Sequence, residues 1–265
     1  MGNEPQLRVA TWNINGVKAR IENLVHWLKE AAPDVVCLQE TKSIDAAFPS
    51  GEIEELGYNV AVHGQKGFNG VALLSKHQLE DISKGLPGDD GDEQARFITA
   101  RIATQDGVFR VASAYMPNGN PIGTEKFDFK IAWHRRLEDW LRQELALEEP
   151  LVLAGDFNII PEAIDAKFPE NWVTDALYQP ASRATYRRLL ALGLTDAVRA
   201  VNDGGGIYTF WDYQAGAWQK NNGIRIDHML LSPEAADRFV ETGVDRHTRA
   251  WEKPSDHVPV WVELR

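Results

Sequence analysis

The chain has 265 residues, 43% of them hydrophobic, and a formal net charge of −11. That is enough apolar material for a sizeable core in one domain spanning residues 1–265, and the acidic balance excludes a generic polyanion binder, whose surface carries a surplus of Lys and Arg. No basic-then-apolar leader opens the sequence, no apolar run reaches membrane-spanning length, and the lone Cys37 allows no intrachain disulfide, so a soluble cytosolic protein is expected.

From the N-terminus, Leu7 to Trp12 alternates and runs into Asn13-Ile14-Asn15-Gly16, a strand ending in a polar loop. Ile21, Leu24, Val25 and Leu28 follow at helical spacing, and Pro33 closes that helix. Val35 to Leu38 is a second, buried strand, and Gln39-Glu40 places a carboxylate just past it. Residues 57–63 and 70–75 read as paired strands across a turn-rich segment, and residues 96–103 and 108–114 as a hairpin around Gln105-Asp106-Gly107. The second arm ends in Tyr115-Met116-Pro117-Asn118. Trp133, Leu137, Trp140 and Leu141 then fall on one stripe of a long amphipathic helix.

Leu151 to Asn158 repeats the design: an apolar run stops at a glycine and delivers Asp156 and Asn158. Alone, Gly, Asp and Asn would read as an ordinary turn. Recurrence of a polar group at the end of one strand after another favours a shared crevice. A basic helix over residues 181–192 carries Arg183, Arg187 and Arg188, and a strand over residues 224–231 contains Asp227. Ser255-Asp256-His257 leads into a last strand, which Pro259 places near a sheet edge or at its own start. Many strands with few helices predict an α/β fold of two packed sheets with helices outside them.

The polar groups at these strand ends are Asn13, Asn15, Glu40, Tyr115, Asn118, Asp156, Asn158, Asp227, Asp256 and His257. Nearly every potential ligand atom is oxygen, which disfavours zinc and suits Mg²⁺ or Mn²⁺, ions that keep water and bind substrate phosphates. Phosphodiester hydrolysis needs an aligned water, a group to activate it, and stabilisation of the developing charge. The set contains candidates for each.

Six segments, Thr11-Trp12-Asn13-Ile14-Asn15-Gly16, Leu38-Gln39-Glu40-Thr41-Lys42, Tyr115-Met116-Pro117-Asn118-Gly119, Gly155-Asp156-Phe157-Asn158, Arg225-Ile226-Asp227 and Ser255-Asp256-His257, resemble in this order the motifs of the exonuclease III family of apurinic/apyrimidinic endonucleases. The resemblance runs nearly end to end and implies a four-layered α/β sandwich similar to deoxyribonuclease I. It implies a Mg²⁺-dependent, monomeric DNA repair nuclease that cuts 5′ to abasic sites in double-stranded DNA and trims blocked 3′ ends. By the same resemblance, Glu40 is the main metal ligand, with Asn13, Asn15 and Asp256 near the ion. Asp156 and Asn158 orient water and phosphate, Tyr115 and Asn118 bind the phosphate or the leaving oxygen, and Asp227 holds His257. Whether Asp156 or His257 is the base stays open. Phe210, Trp211 and Ile224 match an apolar pocket for a sugar lacking its base, while Lys42, Arg183, Arg187 and Arg188 are expected to contact the substrate. The alternatives are a superfamily phosphoesterase acting on an inositol phosphate or phospholipid, and a nucleic-acid-binding protein with a vestigial site, which would have lost acidic ligands that this chain retains.

Overall fold

Runs that are apolar at nearly every position, rather than every second one, become central strands because both faces of the sheet they enter are covered. The computed structural model describes residues 7–105 and 107–265, so the expected turn residue Asp106 lies outside the described residues. The elements in chain order are β1 (Leu7–Asn13), α1 (Ile21–Ala31), β2 (Val35–Gln39), α2 (Ser50–Glu54), β3 (Asn59–His63), β4 (Val71–Ser75), β5 (Leu79–Lys84), β6 (Phe97–Thr104) and β7 (Gly107–Tyr115). They continue with α3 (Glu125–Leu145), β8 (Leu151–Asp156), α4 (Pro180–Ala191), β9 (Thr195–Asp196), α5 (Ala197–Val201), β10 (Asp227–Leu231), α6 (Pro233–Ala236), β11 (Phe239–Val244) and β12 (Val260–Leu264), joined by short 3-10 turns.

Two six-stranded sheets form, in the orders β11-β12-β1-β2-β4-β3 and β5-β6-β7-β8-β10-β9. Each has one parallel pair at its centre, β1 with β2 and β7 with β8, and antiparallel neighbours outward from it. Alternation along the strands then fills three apolar layers. Val9, Val35, Cys37, Val111, Val152, Ala154, Met229 and Val262 pack between the sheets. Ala10, Trp12, Val36 and Leu38 face the other way, onto Leu24, Trp27 and Leu28 of α1. Ala112, Ala114, Leu151 and Leu153 meet Trp133, Leu137 and Leu141 of α3, with Tyr186 and Leu189 of α4. The order helix, sheet, sheet, helix is the expected four-layered sandwich.

The boundaries differ from expectation in instructive places. The strand expected from residue 224 begins only at Asp227, because Ile224 instead bridges Ala166 and Phe210 and Arg225 turns into a buried charge network. β5 and β11 are edge strands whose residues are largely exposed or half-buried, so they lack the apolar signature of the others. β12 lies between β11 and β1, inside the sheet, and Pro259 directly precedes it. The second of the two placements allowed by Pro259 is the one found.

Candidate active site

The parallel centre of each sheet ends at the same edge of the sandwich, where β1, β2, β7 and β8 terminate in Asn13, Gln39, Tyr115 and Asp156. Gly155 is required just before Asp156 because β8 runs very close to β7: a Cβ there would lie 1.9 Å from the Ala114 carbonyl oxygen. Beyond the strands, Asn15, Glu40, Lys42 and Asn158 take φ values of 48°, 54°, 52° and 49°. Asparagine enters this left-handed region at little cost, but Glu and Lys do so only where their surroundings compel it. Backbone hydrogen bonds from Gly16 to Glu40 (2.7 Å), Val17 to Thr41 (3.0 Å) and Lys42 to Asn69 (2.9 Å) supply that constraint.

Asn13 joins the two sheets. Its Nδ2 donates to Glu40 Oε2 at 3.0 Å and to Asp156 Oδ2 at 2.9 Å. Its Oδ1 is occupied by the Asn15 amide at 3.0 Å, so this side chain spans the carboxylates with its nitrogen rather than offering them its oxygen. Lys42 Nζ lies 3.0 Å from Glu40 Oε1 and donates to Asn15 Oδ1 at 2.7 Å. Two oxygens from different loops thus converge on one positive charge, a donor set that fits a hard divalent cation. Asn15 Nδ2 in turn donates to Asp256 Oδ1 at 3.1 Å.

On the other side, Asp227 pairs with His257 Nδ1 at 2.8 and 3.1 Å. This leaves Nε2 facing Asp156 Oδ2 at 3.7 Å. Asp156, Asp227 and His257 are buried, and their ligand atoms all lie within 4.8 Å of one another. Burial opposes charge on the imidazole, but Asp227 and Asp156 overcome it and raise the His257 pKa; Asp156 is itself raised by burial, with Asp227 adding to the shift. Asn158 donates its backbone N–H to Asp156 Oδ1 at 2.9 Å and its side-chain amide to the Met116 carbonyl at 2.8 Å. Asn118 Nδ2 reaches Asn158 Oδ1 at 3.4 Å. Burial beside Glu40 and Asp156 keeps the Tyr115 phenol protonated well past its ordinary range. Arg96, which sequence reading passed over, lies 5.0 Å over the Tyr115 ring and donates to the Tyr115 carbonyl at 3.3 Å.

Beside His257, with ring centroids 5.0 Å apart, stands Phe210. A cavity of about 280 Å³ opens here, lined by Phe210 and Ile224 together with Trp172, Ala215, Ala217 and Asn222. Trp211 does not line it. Successive residues of an extended segment point to opposite sides, so Trp211 is buried against Trp218 and bonded to Asn221 Oδ1 at 3.2 Å; only its backbone N–H reaches the site segment, at the Asp256 carbonyl. Trp172 comes from a 3-10 turn with no distinctive sequence context. Of the arginines, Arg183 is tied to the Pro161 carbonyl and Glu162 in the loop after Asn158, Arg188 is paired with Glu138 of α3, and Arg187 is exposed. The basic helix therefore spends two of its three charges on intrachain carboxylates.

The model of the endonuclease/exonuclease/phosphatase family matches residues 10–257. The chain is 38% identical to exodeoxyribonuclease III of Haemophilus influenzae, over 98% of this chain and 100% of that protein. It belongs to this family, in its exodeoxyribonuclease III branch. A DNA repair nuclease of Danio rerio is 30% identical over 99% of this chain and 84% of its own length. Two solved structures superimpose closely. An AP endonuclease from Archaeoglobus fulgidus has TM-score 0.91 and 37% identity, covering 97% of this chain and 98% of that one. A 3′ phosphatase from Neisseria bound to a product DNA hairpin has TM-score 0.94 and 36% identity, covering 98% and 99%. With these exodeoxyribonuclease III relatives the chain is a hydrolytic nuclease, which disfavours the inositol phosphate or lipid phosphoesterase reading. No helix of the described residues is long and apolar enough to cross a membrane.

Proposed function

We propose that this nuclease is a cytoplasmic, monomeric, Mg²⁺-dependent DNA repair enzyme, able to use Mn²⁺, that cuts duplex DNA on the 5′ side of abasic sites and also trims blocked 3′ ends. The observation that carries it is the convergence of Glu40, Asp156 and the Asp227–His257 pair beside a cavity that Phe210, the neighbour of His257, lines with Ile224, Trp172, Asp212 and Gln214. The relatives' nuclease and 3′ phosphatase activities, and the DNA hairpin held by one of them, support the choice of substrate.

A divalent ion held by Glu40, with Asn15 and Asp256 beside it, would neutralise charge on the phosphate. Asn13 serves as the bridge that fixes Glu40 against Asp156. His257, oriented through Nδ1 by Asp227, directs Nε2 at the phosphate and stabilises the charge that develops there. Asp156, with Asn158 fixing one of its oxygens, accepts the proton of the attacking water. Tyr115 and Asn118 donate to the phosphate or to the leaving oxygen. Phe210 and Ile224 offer an apolar seat that a bare sugar fills and a sugar with its base overfills. Lys42 and Arg187 contribute local phosphate contacts.

The test is an end-labelled duplex with a single abasic analogue, incubated with Mg²⁺ or with EDTA beside an intact duplex. A single cut 5′ to the analogue, dependent on the metal, is expected. Equal cutting of the intact duplex, or cutting in EDTA, refutes the proposal.

A further inference from the structure

We propose that Lys130 of α3 is a positioning residue for the cleavage reaction, its ammonium holding together the main chains that carry Asn118 and Asn158. Lys130 is fully buried. Its Nζ donates to the carbonyls of Asn118 at 3.0 Å, Asn158 at 2.6 Å and Ala176 at 3.5 Å. These carbonyls belong to the loop after β7, the loop after β8 and the segment leading into α4. Three carbonyls from three different segments around the site therefore converge on one nitrogen, with the shortest contact to Asn158.

The local sequence accommodates this. Asn158, two residues past β8, takes a left-handed backbone with φ 49°, and its carbonyl accepts from the lysine. Gly119, with φ +88°, follows Asn118, and a Cβ there would lie 2.6 Å from Lys130 Cδ. The glycine makes room for the lysine stem. A leucine or methionine could fill the same space without the penalty of burying an ammonium. That penalty is visible in the Lys130 pKa, pulled down to about 7 by burial while Asp156 and Asp175 oppose the shift. What the cation supplies in exchange is the relative placement of the loops. Asn158 N–H holds Asp156 Oδ1, and Asn118 Nδ2 holds Asn158 Oδ1, so movement of the Asn158 main chain displaces Asp156, Asn158 and Asn118 together.

The inference rests on the proposed roles of Asn118, Asp156 and Asn158 at the reacting phosphate. Lys130→Met removes the donors and keeps most of the volume. It is compared with His134→Leu, one turn along the same helix, where a buried imidazole has no hydrogen-bond partner on either nitrogen. Steady-state cleavage of the abasic duplex should show kcat lowered on the order of 30-fold for Lys130→Met, because displacements of about 1 Å at a reacting centre cost up to about a hundredfold. KM and the Mg²⁺ midpoint should stay within about threefold, since Glu40 is not among the groups the lysine holds. His134→Leu should keep the wild-type kcat. Lys130→Gln, which retains one or two donors, should fall between wild type and Lys130→Met.

A folded Lys130→Met with kcat within about threefold of wild type overturns the proposal, as does a loss confined to KM. Failure of both Lys130 variants to fold overturns it in favour of a purely structural lysine. If the wild-type protein left the abasic duplex uncut but hydrolysed another phosphodiester, the functional reading would fall. The same ratios on that substrate would still decide the role of Lys130.

Discussion

Replacing Arg225 by methionine tests how the buried charges behind the site support it. Arg225 is 1% exposed. Its Nε pairs with Asp165 Oδ1 at 2.7 Å, and its Nη1 meets Asp196 Oδ2 at 2.9 Å and His228 Nδ1 at 3.1 Å. Methionine would replace much of the stem and remove the charge. Neither carboxylate is left without partners: Asp165 keeps Arg199, and Asp196 keeps the Tyr186 hydroxyl at 2.7 Å and the helix-capping N–H groups of Val198 and Arg199. Breaking a buried ion pair from one side costs about 3–5 kcal/mol, and the surviving partners place this case near about 3 kcal/mol. For a chain of this size that is a fall of about 6–12 °C in Tm.

Arg225 also stands between Ile224, in the cavity wall, and Asp227, the partner of His257. The backbone N–H groups of Ile226 and Asp227 share Thr209 Oγ1, each at 3.1 Å. Loosening residues 224–227 should therefore lower single-turnover cleavage about tenfold at a temperature where the variant is folded. Arg225→Lys should lose nearly as much stability, because an ammonium cannot serve three partners arranged for a planar fork. Urea and thermal unfolding measure the first effect and cleavage of the abasic duplex the second. A methionine variant with Tm within about 2 °C of wild type would show that desolvation cancels the network's attraction, and the reasoning would fail.

Glu40→Gln should abolish metal-supported cleavage while leaving the circular dichroism spectrum unchanged, since a charge is lost at nearly constant volume; wild-type turnover at ordinary Mg²⁺ sinks the assignment of Glu40. His257→Ala should lower turnover on the order of a hundredfold or more, with binding in EDTA less affected. Asp227→Asn should do less damage, because an amide can still hold the ring; the reverse order in single-turnover assays would remove His257 from the phosphate. Stability should fall in acid, with the buried neutral His134 and His228 outweighing Asp156, whose raised pKa favours the folded state as pH drops. His228 is held neutral, its pKa lowered from 6.5 to about 4 by burial and by Arg225, so the unfolded chain binds the extra proton in that window and stability drops as pH falls through it. Asp165 and Asp196 are lowered by Arg225 against the opposing effect of burial, so their contribution is present above the ordinary carboxylate range and is lost below it. Urea midpoints that do not fall between pH 7 and pH 4 would contradict the His228 shift, and midpoints that do not fall further below pH 4 would contradict the carboxylate shifts.

Most of the strand-end set was legible because each polar residue interrupts an apolar run, and burial of the run fixes where the interruption emerges. Asn15, Glu40 and Asp156 lie just beyond or at the end of such a run, and Asp256 lies just ahead of one. Lys130 and Arg225 were harder to read because charged residues are ordinarily solvated. For Lys130 a signal was present: it precedes Trp133 and Leu137 by helical spacing, which puts a charge on the apolar stripe of α3. The segment Arg225-Ile226-Asp227 marked Arg225 but not its burial, because its partners Asp165 and Asp196 lie 60 and 29 residues away. The same limit applies to the arginines of α4, whose intrachain partners Glu138 and Glu162 are separated from them by 50 and 21 residues. For Trp211, alternation within an extended segment gives a sharper reading than likeness to a pocket motif, since adjacent residues cannot both face one cavity.

The strands also explain why chemistry sits at this edge and not at the opposite one. Along β1 the side chains facing between the sheets run Leu7, Val9, Thr11, Asn13; along β2 they run Val35, Cys37, Gln39; along β8, Val152, Ala154, Asp156. β7 runs Phe109, Val111, Ser113, Tyr115, and β10, antiparallel to β8, delivers Asp227 at the same end after Leu231 and Met229. The rows of β1, β2, β7 and β8 pass from apolar through a small or polar residue to a site residue or its neighbour, while in β10 Met229 leads directly to Asp227. The intermediate groups satisfy one another: Gln39 Nε2 donates to Thr11 Oγ1 at 2.9 Å and to Ser113 Oγ at 3.0 Å, and Ser113 Oγ donates to the Leu38 carbonyl at 3.0 Å. In β1, β2 and β7 this polar step leads from hydrocarbon to the site edge with its buried polar groups paired. It also makes the site part of the joint between the sheets, because Asn13 of one sheet bonds Asp156 of the other. The geometry of the candidate site and the packing of the sheets are therefore joined through Asn13, which holds Glu40 and Asp156 at once.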